Sequence, residues 1–345
     1  MTKKLFRKLR RKDRSEPNEA LRITNETLEE TRKEVLKGAR KFIYPIQHSK
    51  HRVVILSGLI GLAVLIVFFS FSLLSLYKFK STSTFIYRVT QVVPFPVAKA
   101  GGSFVSYEDY LFEIRQYIHY FETQEKVDFS QEQGRLQLEA QRKIALQKVV
   151  DQAYIRQIAK QKGITVSSAE VDSEIQLLQS QNRLGGNPEA LQDIISDYYG
   201  WTINDFRRSL SDRVLFTKVL AALDSDNTVR ANAALDELKA GVDFAATAAK
   251  YSDDPSTKDK GGEIDFLIDK VDRNVPAEMT SALYALQPGE ISGIVNVGYG
   301  LEIVKNLEVK DGKIRAAYIL FNFKDMQVFL NTEKEKNKAT TYIKL

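Results

Sequence analysis

Cysteine is absent from this chain of 345 residues, and histidine occurs only at His48, His51 and His119. The lack of cysteine excludes disulfide bonds and thiol catalysis, and it fits a bacterial protein exposed outside the cytoplasm. Because His119 has no cysteine or second histidine near it in the sequence, we expect no metal site and no cofactor. The apolar fraction of 43% is ample for folded cores, and the length predicts two or three domains.

The net positive charge of the chain comes from its start. Residues 1–52 contain 16 Lys and Arg against 7 Asp and Glu, a net charge of +9, so the remainder carries −3 of the total of +6. Aromatic residues are few within this charge, and we therefore expect no nucleic-acid partner. The basic run either attracts anionic lipid headgroups or serves as a topology signal in a solvated tail, and we favour the second interpretation.

The stretch from Val53 to Tyr77 contains 25 residues without a charge. About 20 apolar residues suffice to cross the hydrocarbon layer, so this stretch predicts a transmembrane helix with some tilt. A buried core helix is rarely apolar on every side over this length. The preceding segment is too long for a cleaved signal peptide. Because Lys and Arg precede the span, we expect a single-pass cell-membrane protein with a cytoplasmic N-terminus and all residues after Lys78 outside.

The patterns divide the chain into six segments. The spacer among them contains Pro94 and Pro96, which favour extended backbone that holds the next domain just off the membrane. The expected segments are a basic cytoplasmic segment 1–52, a transmembrane helix 53–77, a spacer 78–99, a helical domain 100–225, a small mixed domain 226–323, and a closing helix and tail 324–345.

The mixed domain is organised around residues 241–305. Gly241 is expected to end one helix and Asp243 to cap the next. Gly261 and Gly262 mark a tight bend, which is followed by alternating apolar and acidic residues typical of a half-buried strand. A Pro-Gly turn at 287–290 separates this region from two more short strands. The pattern predicts a small α+β unit with an antiparallel sheet.

The order of motifs in this unit resembles the parvulin family of peptidyl-prolyl isomerases. The matching pieces are Asp243-Phe244, Tyr251–Ser256, Gly261–Ile264, Leu286–Ser292 and Tyr299–Lys305. The resemblance implies a parvulin-type fold and, as an expectation, prolyl cis/trans isomerase activity. A fold alone does not establish an activity.

The preceding helical region resembles the N-terminal chaperone region of SurA/PrsA-type foldases. The resemblance is carried by Ala145–Ile175 and Gly200–Leu220. The expected fold class is therefore α+β: a transmembrane helix, an all-α SurA-like domain and a small parvulin-like antiparallel-sheet domain. Trp201 and its aromatic neighbours either form a peptide-binding patch or pack onto the start of a helix, and we favour packing.

The strand that usually opens a parvulin domain has no room before the first helix of this unit. Asp311-Gly312 is a strong two-residue hairpin signal, and the residues after it, Ile314–Phe321, look like that opening strand. A hairpin would deliver this strand beside Leu301–Leu307, which predicts a circularly permuted domain over 226–323. The alternative is that Ile314 begins a truncated second repeat.

The parvulin resemblance also implies site residues. The family's Asp or Cys position falls on Asp254, and its two histidine positions fall on Tyr318 and Glu302. The proline cup falls on three apolar residues and a rim tyrosine, namely Ile264, Val275, Met279 and Tyr299. Glu302 near Asp254 adds negative charge, which is expected to raise the pKa of one carboxyl group.

Both usual histidines are replaced, so the sequence favours weak or absent isomerase turnover. Our first hypothesis is a membrane-anchored extracytoplasmic foldase that binds unfolded or nascent exported polypeptides and contacts the bilayer through residues 53–77. The second is an active isomerase of the same architecture, and the third is an anchored adaptor for one folded partner. Nothing in the sequence predicts an oligomeric state.

Overall fold

The computed structural model describes residues 24–43, 45–181 and 188–345. The basic run at the start of the chain lies outside the described residues. The described chain divides into two compact units, Met1–Phe71 and Ser72–Leu345.

Helices make up most of the described residues. In chain order they are α1 Asn25–Ile43, α2 Pro45–Leu73, α3 Thr84–Val92, α4 Tyr107–Thr123, α5 Glu132–Lys162, α6 Ser168–Ser180, α7 Pro188–Tyr199, α8 Ile203–Leu223, α9 Ser225–Lys239, α10 Phe244–Tyr251, α11 Ala277–Tyr284 and α12 Met326–Lys336. The strands are short, except for two, and are β1 Pro96–Ala100, β2 Ser103–Ser106, β3 Val295–Asn296, β4 Gly300–Lys310, β5 Lys313–Asn322 and β6 Thr340–Thr341.

The apolar stretch is helical, as its composition predicts. Within the described residues, the helical segment Arg52–Lys78 is the one that is long and apolar enough to cross a membrane, by length and composition. Its large apolar side chains from Val53 onward are exposed in the first unit. A π-helical turn, Leu74–Lys78, closes this helical segment at its C-terminal end.

The segment 78–99 is not the extended spacer that its prolines suggested. It forms α3 and most of β1, and Ser83 caps α3 by accepting a hydrogen bond from the backbone of Ile86. The physical reason is burial: Ile86, Phe95 and Val97 lie in the core of the helical domain. The apolar side chains gain more from this core than an extended backbone gains from solvation.

The helical domain is built on α4, α5 and α8, and its helix ends follow the sequence signals. Ser167 with Glu170 and Thr202 with Asp205 form complete capping boxes. Gly163 ends α5 with a φ of 67°, a left-handed conformation that favours glycine.

A small sheet accompanies these helices, which the sequence did not predict. Its strand order is β2-β1-β6, so the chain's last described strand pairs with its first. Lys99 lies opposite Thr340 in this pairing. The closing segment 324–345 is therefore part of the helical domain, and Met326, Leu330 and Ile343 are buried in its core.

The second sheet confirms the predicted hairpin. β4 and β5 pair antiparallel, with Leu301 opposite Phe321 and Val309 opposite Ile314. The turn residues Asp311 and Gly312 both have positive φ, as a tight two-residue turn requires. Isolated bridges join the other edge of β5 to residues 263–268. β5 is thus an interior strand that completes this sheet, which argues against a truncated repeat; circular permutation relative to the family remains our interpretation.

Each face of the β4–β5 hairpin packs on a different layer. Side chains alternate between faces along a strand. Leu301 and Ile303 contact the layer formed by α9 and α10, together with Ile319 from β5. Val304 belongs to the opposite layer, which includes α11 and the loop before it. Residue 302 has the same parity as Val304 and lies on the α11 side.

Candidate active site

A cavity of about 280 Å³ opens on the α11 side of the hairpin. It is smaller than the roughly 300–1,000 Å³ of typical small-molecule pockets, a size suited to a side chain rather than a large ligand. Its lining residues come from the loop after α10, the 264–276 segment, α11 and the two long strands: Ser256, Thr257, Ile264, Asp265, Phe266, Asn274, Val275, Pro276, Met279, Tyr299, Glu302 and Tyr318. We call this cavity the cup.

The structure brings the seven sequence-predicted site residues together. Six of them line the cup directly, namely Ile264, Val275, Met279, Tyr299, Glu302 and Tyr318. Asp254 joins them because its Oδ2 accepts a hydrogen bond from the Tyr318 hydroxyl. Their roles in catalysis or proline binding remain predictions.

The strand register places two of the polar residues. Tyr318 lies opposite Val304 in the hairpin, and Glu302 lies opposite Leu320. Glu302 and Tyr318 therefore occupy diagonal positions on one face, within reach of each other's long side chains. The close approach of the 262 backbone to β5, where Gly262 accepts a hydrogen bond from the Tyr318 backbone, holds this strand against the cup.

The Asp254 carboxylate is well satisfied by hydrogen bonds. It accepts from the Ser256 backbone at 3.0 Å, the Ser256 hydroxyl at 2.8 Å and the Thr257 hydroxyl at 2.5 Å, in addition to Tyr318. Partial burial alone would raise the pKa of Asp254, but the hydrogen bonds from Thr257, Tyr318 and Ser256 outweigh it and lower the pKa to about 2. Asp254 is ionised at neutral pH.

The Glu302 carboxyl has the opposite environment. The residue is 1% exposed. Its Oε1 accepts a hydrogen bond from the Tyr299 hydroxyl at 3.2 Å, and its Oε2 has no hydrogen-bond partner among the described residues. Burial raises the pKa of Glu302 to about 7; the Tyr299 hydrogen bond opposes this rise, and the charges of Glu278 and Asp254 add to it. The expected rise from a neighbouring charge is present, but burial is the larger cause.

The two tyrosines at the cup keep their protons. Burial raises the pKa of Tyr318 and of Tyr299, and the neighbouring carboxyl groups, Asp254 and Glu302 respectively, raise it further. Each phenol is therefore a neutral hydrogen-bond donor at physiological pH.

The apolar wall of the cup contains an aromatic residue that the sequence reasoning missed. Met279 and Val275 are buried, whereas Phe266 is 43% exposed and lines the cavity. The segment 263–268 forms isolated bridges rather than a regular strand. Phe266 is two residues from Ile264, and this spacing on one face was the signal that could have placed it in the cup.

Among residues 24–43, 45–181 and 188–345, no group of three or more His, Cys, Asp and Glu side chains could hold a metal ion.

Comparisons with known proteins agree with this architecture. The family model described as a SurA-like N-terminal domain matches residues 46–220, and the one described as a PPIC-type PPIASE domain matches residues 217–308. The second match ends within β4, before the strand that carries Tyr318.

Curated relatives are chaperones and foldases by name. A chaperone SurA from Methylobacillus flagellatus is 31% identical over 119 residues, which cover 32% of this chain and 26% of that protein. A foldase protein PrsA from Caldanaerobacter subterraneus subsp. tengcongensis is 29% identical over 239 residues, covering 61% and 72%. This chain thus spans about a quarter of the SurA relative's length.

A solved structure of peptidylprolyl isomerase PrsA from Bacillus cereus is 19% identical and covers 55% of this chain and 73% of its own, with a TM-score of 0.18. That score is too low for the geometry of the two sites to be compared. The SurA-like match, in contrast, spans half of the chain. The protein therefore belongs to the family with a SurA-like N-terminal domain, and a PPIC-type, parvulin domain follows that domain in the chain.

Proposed function

We propose that this protein is a membrane-anchored foldase that binds unfolded exported polypeptides outside the cytoplasm, with weak prolyl isomerase turnover. The observation that carries the proposal is the cup, a cavity with an apolar wall and with a polar flank that holds Glu302 and Tyr318 where similar proteins carry histidine. It lies in a chain whose N-terminal half is SurA-like.

The surfaces around the cup suit an extended, partly apolar polypeptide. A cavity of about 900 Å³ lies between α6, α8 and the parvulin domain, and it shares Pro276 and Tyr299 with the cup. A further cavity of about 810 Å³ lies among α4, α5, α8 and α12, lined by apolar and charged side chains. Clefts of this mixed character accept sequences of varied composition, which a general foldase must do.

Weak turnover follows from the chemistry of the polar flank. Prolyl isomerisation breaks no bond; the catalyst stabilises a twisted amide whose resonance is lost, against a barrier of about 18–20 kcal/mol for peptides generally. The ionised Asp254 lies at the cup, and its negative charge repels a carbonyl oxygen in the same space. The Tyr318 hydroxyl already donates a hydrogen bond to Asp254. Neither group is therefore a free donor for the substrate.

The anchor is the helical segment Arg52–Lys78. The Lys and Arg residues before it favour a cytoplasmic N-terminus, which puts both folded domains outside. Protease added to intact cells is expected to remove the domains after Lys78; complete protection of those domains would contradict this topology.

An active isomerase is the second candidate. The observation that favours it is the PPIC-type match at residues 217–308 together with an apolar cup that includes an aromatic side chain, Phe266.

One pair of measurements on the full-length protein in detergent micelles separates the two. We expect it to suppress aggregation of several unrelated unfolded proteins while accelerating isomerisation of a proline peptide only slightly. Rapid turnover that is lost in Asp254→Ala would establish the active isomerase instead. Protection of a single client and no others would contradict a general foldase.

A further inference from the structure

The Oε2 atom of Glu302 is a buried polar atom without a protein partner at the cup. A few other buried polar atoms in the described residues also lack a hydrogen-bond partner, on Tyr110, Arg142, Gln181, Asp224 and Asn306. None of those residues lines the cup, whereas Glu302 does. An unpartnered buried polar group costs about 1–3 kcal/mol, so its presence at a cavity calls for an explanation in terms of what the cavity binds.

The charges that face Glu302 all disfavour its ionised form. From α11, Glu278 adds a negative charge, although Arg213 of α8 approaches it at 3.5 Å. From the loop after α10, Asp254 adds another. From β5 and from the residue before β4, Tyr318 and Tyr299 contribute neutral phenols. Within the described residues no Lys or Arg forms an ion pair with Glu302 at 4.0 Å or less.

The other hydroxyl groups of the cup have committed their protons. The hydroxyls of Ser256, Thr257 and Tyr318 donate to Asp254, and the hydroxyl of Tyr299 donates to Glu302 Oε1. A proton on Glu302 Oε2 would therefore be the uncommitted O–H of this group. Glu302 lines the same cup as Ile264, Val275 and Met279, the apolar residues against which a proline ring would lie.

Resting on the proposed function, we propose that Glu302 contacts the bound prolyl peptide as a neutral acid, its Oε2–H donating a hydrogen bond to an acceptor of that peptide. When the amide twists, resonance is lost and the lone pair of the proline nitrogen becomes an acceptor. A donor that engages it only then stabilises the transition state more than the ground state. Glu302 thereby supplies, in its protonated state, a donor where similar proteins carry histidine.

This role makes peptide binding and turnover at the cup dependent on pH. With the pKa of Glu302 raised to about 7 by burial, the neutral form predominates below that pH and the carboxylate above it. The carboxylate cannot donate, and it repels a carbonyl oxygen. Turnover and peptide binding are therefore expected to fall about tenfold between roughly pH 6 and pH 8. A bound peptide should also draw a proton onto the protein near neutral pH.

The test uses exchange NMR on an Ala-Pro peptide with the full-length protein in detergent micelles. This readout needs no coupling protease, and the peptide line widths report binding even where turnover is weak. The variants are Glu302→Gln, which is neutral at every pH and keeps a donor, and Tyr299→Phe, which removes the hydrogen bond that lowers the Glu302 pKa. His119→Gln is the control, a change on α4 at a residue that does not line the cup.

We expect the wild-type rate and line broadening to fall with rising pH, Glu302→Gln to be independent of pH, and Tyr299→Phe to shift the midpoint upward. His119→Gln should follow the wild type. A wild-type profile that is flat, or a slope that survives in Glu302→Gln, would overturn the inference while leaving the foldase proposal standing. Should Glu302→Gln not fold, an unshifted midpoint in Tyr299→Phe overturns it equally. Absence of any peptide contact at every pH would remove the proposed use of the cup and the inference with it.

Discussion

The pKa values of the two carboxyl groups at the cup are shifted in opposite directions by the parts of the chain that carry them. Asp254 lies on a loop whose hydroxyls and backbone N–H groups converge on it, and its pKa is lowered to about 2. Glu302 lies on a strand whose pleat buries it with one hydrogen bond, and its pKa is raised to about 7. The difference shows that the supply of hydrogen-bond donors, rather than the residue type, decides which acid is charged.

The largest expected effect comes from a change in the backbone that separates Tyr318 from Asp254. Gly262 has a φ of +81°, and a Cβ added there would lie 2.3 Å from the Tyr318 carbonyl oxygen. Gly262→Ala should therefore push β5 and Tyr318 away from Asp254 and cost roughly 3 kcal/mol of unfolding free energy, from strain and clash together.

Gly289→Ala is the matched control, because Gly289 has a φ of +91° with nothing within 4 Å of its added Cβ. It should cost about 1–2 kcal/mol, the left-handed strain alone. Thermal unfolding of the full-length protein followed by circular dichroism measures both. Equal losses would mean that the contact between Gly262 and Tyr318 has no energetic weight.

The second prediction concerns the contribution of Glu302 to the pH dependence of stability. The folded pKa of about 7 lies above the reference value of 4.5, so the folded state binds more protons between these values and stability falls as pH rises. Above about pH 7 the full loss is roughly 3 kcal/mol relative to acid conditions. Glu302→Gln should abolish this slope in denaturant unfolding measured from pH 4.5 to 8. An unchanged slope would show that Glu302 is not the group that titrates.

The contribution of Asp254 to the pH dependence of stability should have the opposite sign. Its folded pKa of about 2 lies below the reference value of 3.8, so its contribution is present above about pH 4 and is lost as pH falls toward 2. Asp254→Asn should lower the unfolding free energy by about 1–2 kcal/mol at neutral pH, allowing for partial solvent screening, and by less in acid. A loss that grows on acidification would reverse the assignment of charge states.

The smallest expected effect sharpens the comparison through Glu278. Its charge is one of the causes that raise the pKa of Glu302. Glu278→Gln should therefore lower the Glu302 midpoint by roughly 0.3–0.5 pH units, a change suited to titration by carboxyl ¹³C NMR. Glu308→Gln changes an exposed residue on β4, the strand that carries Glu302, and should leave the Glu302 midpoint unchanged. A similar shift in both variants would indicate a general charge effect.

Local signals in the sequence predicted much of this fold. The helix cap at Asp243, the left-handed Gly241 after the preceding helix and the hairpin turn at Asp311-Gly312 depend on neighbouring residues and are readable from them. The seven site residues were placed by motif order, and the structure brings them together. What each does chemically depends on burial, which motif order does not contain.

The features that sequence reasoning missed are non-local. β6 has two residues, and its partner β1 lies more than 200 positions earlier. A strand this short shows no alternation of apolar and polar residues, so the sequence does not predict the pairing. We predicted that the segment 78–99 is a spacer because its prolines favour extended backbone. The sequence does not show that Ile86, Phe95 and Val97 pack into the core of the helical domain. The unpartnered Oε2 of Glu302 likewise became apparent only when the hydrogen bonds of the cup's hydroxyl groups were known.

The position of β5 and α12 in the chain has a consequence for the order of events during biosynthesis. β5 is an interior strand of the parvulin sheet, and Met326, Leu330 and Ile343 complete the core of the helical domain. A chain that is synthesised from its N-terminus can close neither core until residues 313–343 have been made. Contacts between such distant residues form slowly, and the unfinished cores stay exposed to proteases and to neighbouring chains during that interval. A protein that we propose guards unfolded chains thus passes through the same vulnerable period as its clients.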